Sequence, residues 1–363
     1  MEAVSEYRNL IQQIESIEEP VQWFEKLEKI GTQAAAIITE LGRAGLDEMI
    51  EASQEILSCI NTKNPQINAI TAITIGAMVE NGMPPQKIEE PIMNEFINIL
   101  KQAREFVNLV DERVPEDLEQ EEAEGGYWVD DKFVSQELAK ELWIEDSAHV
   151  QAYQAMDQFI CCAVTLLSTD LKLAEKYRTD EFSRLIYFHD LNFIRMLLNV
   201  LTDEEVIVLH PATSQGYIIR ISGISDNFQL HTLLADALAY DGEGPEWGIP
   251  AVRPSKSVVA VVNGTGPQES DEPSTGIWNF YNWQALLYDK ISDSEIDDWI
   301  WNEGIPADIE KWEGKRVIIL GPPSYARTWN TGKSIPHLKP EIKIEKVLNR
   351  DEAGDLIAKM KNS

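Results

Sequence analysis

The sequence predicts an α+β chain, a mainly helical N-terminal bundle followed by a mixed region with a small sheet of about five strands. Three observations carry this. Apolar residues recur at three- and four-residue spacing through most of the first 200 positions. The stretch Asp203–Tyr240 then reads as strand, polar turn, strand, cap and helix. Beyond it, short apolar runs alternate with Gly/Pro loops, and seven of the ten tryptophans lie after residue 240.

Taken in order, residues 2–17 place Leu10, Ile14 and Ile17 on one helical face. Pro20 starts a second helix with Trp23, Leu27 and Ile30 in a stripe, ending near Gly42 or Gly45. A third covers about Leu46 to Ile60. Asn64-Pro65 opens a fourth, Asn81-Gly82 closes it, and Pro84-Pro85 precede a fifth that reaches Val110. Residues 1–114 thus form stacked helical hairpins. Residues 115–134 begin with PEDLEQEEAEGG and read as an acidic, solvated loop. Helical pattern returns over 135–204, broken near Asp146 and Asp180, and is expected to pack on the C-terminal region. Its segment AMDQFICCAVTLL is apolar nearly all round, which marks a buried central helix.

Residues 205–363 form the Trp-rich α+β region. Strands are predicted near 205–210, 216–222, 257–262, 315–321 and 341–347, with short helices around Ser292–Glu303 and Ala307–Trp312. Asp226 with Gln229 three residues on makes a capping-box pattern, and Leu230, Leu233, Leu234, Ala237 and Leu238 form the inner face of the helix it starts.

A net charge of −31 disfavours nucleic acid and anionic lipid as partners, since both need Lys/Arg neutralisation. Cys59, Cys161 and Cys162 lie in apolar helical patterns without CxxC spacing, so they read as buried free thiols in a reducing compartment. The N-terminal residues are polar and acidic, unlike a signal peptide, and no apolar run is long enough to span a bilayer. A cytoplasmic location follows as the expectation.

No motif specifies a reaction. His149 and His189 stand isolated, and no metal-ligand spacing occurs, so neither metal nor cofactor is expected. The glycines of NGTGPQESDEPSTG do not fit a dinucleotide fingerprint. Thr331-Gly332-Lys333-Ser334 ends like a phosphate-binding loop, but Arg327 occupies the first glycine position and Pro336 opposes the helix that must follow. His210, Asp226 and His231 are the acid/base candidates, at a strand end, a helix start and the first turns of that helix. Ser214 is a nucleophile candidate without a G-x-S-x-G elbow, and Asp226 has the competing role of a plain cap. Arg327 and Lys333 are anion contacts or surface charges, while Trp278, Trp283 and Trp329 are pocket or core residues.

The most economical function is a cytosolic, non-catalytic binding or adaptor protein that engages a protein partner or small ligand through its helical surface and Trp-rich region. One alternative is an enzyme with His/Asp acid–base chemistry around residues 206–240, acting on a small molecule or peptide. Another is an acidic regulator or immunity-type inhibitor of a basic protein.

Overall fold

The helical spacing of the first half resolves into packed helices in a computed structural model, which describes residues 2–14, 20–43, 45–114, 126–242, 247–323 and 325–363. The chain divides into two units, Met1–Arg195 and Met196–Ser363. The first unit contains α1 (Glu2–Ile14), α2 (Pro20–Leu41), α3 (Leu46–Leu57), α4 (Pro65–Glu80) and α5 (Glu89–Arg113). A hairpin of β1 (Tyr127–Val129) and β2 (Lys132–Val134) follows, then α6 (Gln136–Thr169), α7 (Leu171–Tyr177) and α8 (Asp180–Phe188). Helix α9 (Asn192–Leu198) straddles the division. Ile17 and residues 115–125 of the acidic segment lie outside the described residues.

Caps explain where these helices start. The Asn64 side chain accepts from the Ile67 amide, with Pro65 at the first helical position. Ser135 and Thr179 cap α6 and α8 in the same way. Asp146 interrupts α6 with φ −153°, ψ 69°, where the sequence pattern breaks. Helix α6 packs against α4 and α5. In the core, the Phe96 ring stacks on Phe159 at 5.9 Å and meets Phe182 edge-on at 5.9 Å. Cys162 is buried there and its thiol is pushed up to about 12, mainly by burial. Cys59 is buried as well, but Cys161 is exposed, correcting the expectation of three buried thiols. An apolar sequence context placed it on the covered side, whereas only its neighbour faces α4.

The second unit is built on a mixed sheet. In chain order its elements are β3 (Glu204–His210), β4 (Gln215–Ser222), α10 (Asn227–Leu238), β5 (Ala239–Tyr240), β6 (Ile249–Pro250) and α11 (Lys256–Val262). There follow β7 (Glu269–Gly276), β8 (Asn279–Tyr281), β9 (Lys311–Trp312), β10 (Lys315–Gly321), β11 (Arg327–Gly332), β12 (Glu341–Leu348) and α12 (Arg350–Lys361). Strand order is β12-β4-β3-β10-β8, with β9 on β10; only the β3–β10 pairing is parallel. Both faces of β3 are apolar because both are covered. Val206 and Val208 join Ile219, Ile221, Ile318 and Leu320 under Leu230, Leu234 and Leu238 of α10. Ile207 and Leu209 join Val317 and Ile319 on the opposite face, against Ala353 and Met360 of α12. Edge strand β12 carries a register shift at Ile344/Lys346 and exposed charges, features that block further strand pairing.

Three expectations are corrected here. Residues 257–262 are helical, not a strand: the Ser255 side chain caps α11 by accepting from the Val258 amide, and Val258, Val261 and Val262 share its buried face. The cap and tertiary burial outweigh the β preference of four valines. The strand in its stead is β8, inside the aromatic cluster. The regions 292–303 and 307–312 hold only 3₁₀ turns at Ile291–Asp293, Ile296–Asp298 and Pro306–Asp308, plus β9.

Close approach of α4 and α6 depends on Gly76, where an added Cβ would stand 3.2 Å from Cys162 Sγ and 3.4 Å from its Cα. Gly76→Val is therefore expected to destabilise the first unit by about 1–3 kcal/mol through overpacking. Urea unfolding followed by far-UV circular dichroism checks this; a stability equal to wild type would contradict it.

Candidate ligand-binding cleft

Strands β7 and β11 pair as a separate two-stranded ribbon. The ribbon and the start of α10 enclose a cleft of about 410 Å³. Asp226 and Gln229 form part of its polar lining, with Ser274, Lys333 and Ser334, while Trp329 and Phe228 supply its aromatic side. The two rings meet at 5.4 Å.

Asp226 is the hub. As cap of α10, its Oδ1 accepts from the Gln229 amide at 2.8 Å. Its Oδ2 accepts from the Ser225 hydroxyl at 3.0 Å and from the Ser334 hydroxyl at 2.6 Å. Gln229 reaches back to the Ser225 amide rather than to that of Asp226, at 2.8 Å, and its Nε2 donates to the Val262 carbonyl at 2.8 Å. One buried carboxylate thus ties α10 to the residue pair that follows β11. A carboxylate is favoured at this position by the unpaired amides and positive end of the helix.

His231 is fully buried one turn further along α10. Its ring stacks on Phe280 at 4.5 Å and meets Trp329 edge-on at 5.3 Å. Nε2 accepts from the Ile277 amide at 3.2 Å, which assigns the neutral ring's proton to Nδ1. Burial, followed by the nearby Arg327 charge, lowers its pKa to about 3. His231 is therefore a neutral support behind Trp329.

His210 lies elsewhere. It pairs with Gln215 at the start of β4, whereas Asp226 follows the far end of that strand, roughly 20 Å away along the strand at ~3.3 Å per residue. Its Nδ1 donates to Thr213 Oγ1 at 2.7 Å, and Thr213 donates to Gln215 Oε1 at 2.6 Å. Gln215 in turn donates to the carbonyls of Trp247 and Gly248, at 2.9 and 3.0 Å. This chain fixes the turn in which Ser214 takes the left-handed φ of 55°. Burial lowers the His210 pKa.

Of the remaining candidates, Arg327 donates through one terminal nitrogen to the Trp278 carbonyl at 2.7 Å and lies over the Tyr325 ring, while its buried Nε has no hydrogen-bond partner among the described residues. Lys333 lines the cleft but donates to the carbonyls of Pro336, at 2.6 Å, and Leu338. Burial, then the Lys339 charge, lowers its pKa. Trp278 is core, Trp283 packs against the second core cluster, and Trp329 alone of the three lines the cleft. Ser274 went unnoticed in the sequence, since an isolated serine in a polar stretch carries no signal, and Ser334 was read only as the end of the phosphate-loop-like tail, not as a partner of Asp226.

Chemically, the cleft offers acceptors, hydroxyls and an aromatic wall. No histidine is among the described residues that line it. Among the described residues, no group of three or more His, Cys, Asp or Glu could hold a metal ion, and no helix is long and apolar enough to cross a membrane.

The low His231 pKa has a measurable consequence. Between about pH 6.5 and pH 3 the unfolded chain binds a proton that the folded ring refuses, so stability falls as pH drops through that window. The loss by pH 5 is expected to be about 2 kcal/mol. His231→Phe keeps the ring stack and should flatten this pH slope, measured by urea unfolding with tryptophan fluorescence at pH 7.5 and pH 5. An unchanged slope would contradict the assignment.

No protein-family model matches the chain, and comparison with curated proteins and with solved structures yields no significant match.

Proposed function

We propose that the protein is a non-catalytic binding protein whose C-terminal cleft takes up a small, hydrogen-bonding ligand or a peptide group against Trp329. One observation carries this reading: the cleft brings Asp226 together with Trp329 but with neither candidate histidine, and it spends the carboxylate on fixing the walls. A volume near 410 Å³ lies within the range of small-molecule pockets. Asp226 and Glu269 favour a ligand that presents N–H or ammonium donors, and Trp329 with Phe228 favours one with a flat or apolar portion. The walls are hydrogen-bonded to one another before any ligand arrives, which lowers the ordering cost of binding. The acid–base alternative gains nothing from this geometry, because His210 belongs to the opposite end of the hairpin and His231 is sealed in a ring stack.

The test uses Gly332, which lines the cleft and has open space where a side chain would begin. A library of amino acids, amides and dipeptides is screened by thermal shift against wild type, Gly332→Phe and Trp329→Ala. Ligands that raise the melting temperature of wild type should lose their effect on Gly332→Phe and bind about tenfold more weakly to Trp329→Ala. Absence of any stabilising ligand, or equal stabilisation of Gly332→Phe, would overturn the proposal.

A further inference from the structure

A second surface of the same unit stands on different residues. Trp299 and Trp301 stack at 5.6 Å with their planes 29° apart, and Trp299 meets buried Tyr281 edge-on at 5.7 Å. The outer member of this ladder, Trp301, is 44% exposed. Leu287 and Ile296 are also more than half exposed, and the turns that carry them, Trp283–Leu287 and Ile296–Asp298, pack on one another.

The backbone beneath is fixed. The Asn282 amide donates to the Asp298 carbonyl at 2.7 Å and the Ile300 amide to the Phe280 carbonyl at 2.9 Å, so residues 298–300 run along β8. The next turn supplies the carbonyls that satisfy the start of α10. Asn227 donates through its side chain to Trp301 at 2.8 Å and through its amide to Gly304 at 2.9 Å, and the Phe228 amide donates to Asn302 at 3.1 Å. An exposed indole on so constrained a backbone loses little freedom when a partner covers it.

Charge identifies the partner. From Leu287 to Glu303 the sequence holds six carboxylates, Asp289, Asp293, Glu295, Asp297, Asp298 and Glu303, against the single cation Lys290. Among the described residues none of the six enters a salt bridge, and all but Asp298 are exposed. Asp298 accepts from the Glu295 amide and belongs to the turn itself. An aromatic step flanked in sequence by carboxylates that enter no salt bridge repels nucleic acid and anionic lipid, and it attracts guanidinium groups, which stack on indole and pair with carboxylate together.

We infer that the Trp299–Trp301 ladder and the exposed carboxylates of residues 287–303 form a docking surface for an arginine-bearing segment of a partner protein. The surface requires no occupant in the cleft, so the two sites fail or stand separately.

Amidated hexa-arginine and hexa-lysine peptides are the probes, titrated by calorimetry into the full chain. Hexa-arginine should bind more tightly than hexa-lysine, and more weakly as salt rises from about 50 to 300 mM. Trp301→Ala should weaken hexa-arginine binding about tenfold. Asp293→Asn with Asp297→Asn should weaken it clearly more than Glu48→Gln with Glu51→Gln, a pair of exposed carboxylates in the first unit. Circular dichroism confirms that each variant folds. Equal affinity for the two peptides, wild-type affinity in Trp301→Ala, or equal effects of the two neutralised pairs would overturn the inference by reducing the binding to bulk charge.

Discussion

The carboxylate of Asp226 is the contact on which the second unit's functional architecture depends. It caps α10, whose leucines cover one face of the sheet, and it also holds the Ser334 hydroxyl just beyond β11. β7 and β11 pair with each other rather than with a strand of the main sheet, and the Arg327 bond to the Trp278 carbonyl is a second polar tie of the ribbon, beside β8. Among the described residues Asp226 enters no ion pair, and a buried carboxylate so placed is costly unless donors replace its water. Here a helix amide and two hydroxyls do so, and the same three bonds set the shape of the cleft.

That arrangement explains the division of labour among the aromatic residues. Phe280, His231 and Trp329 pack in series outward from β8, the first two stacked and the last edge-on, with the histidine kept neutral so that no charge is buried among them. Trp329 shows its remaining surface to the cleft, Trp301 shows its own to solvent, and Trp278 and Trp283 fill core. Tryptophans in this half thus fill core at some positions and present surface to the cleft or to solvent at others.

Much of the fold was legible because it rests on local signals. Asn64-Pro65, Ser135 and Asp226 each announce a helix start with a side chain that satisfies an amide, and β3 and β4 alternate or run apolar as a covered hairpin should. The ribbon was not legible. Its strands ESDEPSTG and RTWNTG have no apolar alternation, one contains Pro273, and a buried Ser274–Thr331 hydroxyl bond of 2.9 Å joins them. Strands held by such long-range polar pairing leave no periodic trace in sequence, so the cleft they wall was hidden as well. The valine run at 257–262 misled in the opposite direction, since its β preference gave way to the Ser255 cap and to burial. Asp226 could be found from its spacing to Gln229, but its bond to Ser334 spans 108 positions. The separation of His210 from His231 likewise depends on strand direction rather than on residue type.

The central claim is that one carboxylate couples the start of α10 to the end of the ribbon and so builds the cleft. Hydrogen exchange read by mass spectrometry on Asp226→Ala tests it most directly. The account predicts that amides at 227–231 and at 327–334 lose protection together, while those of β3 and β4 keep theirs. Loss confined to the first turn of α10, with the ribbon as protected as in wild type, would contradict it.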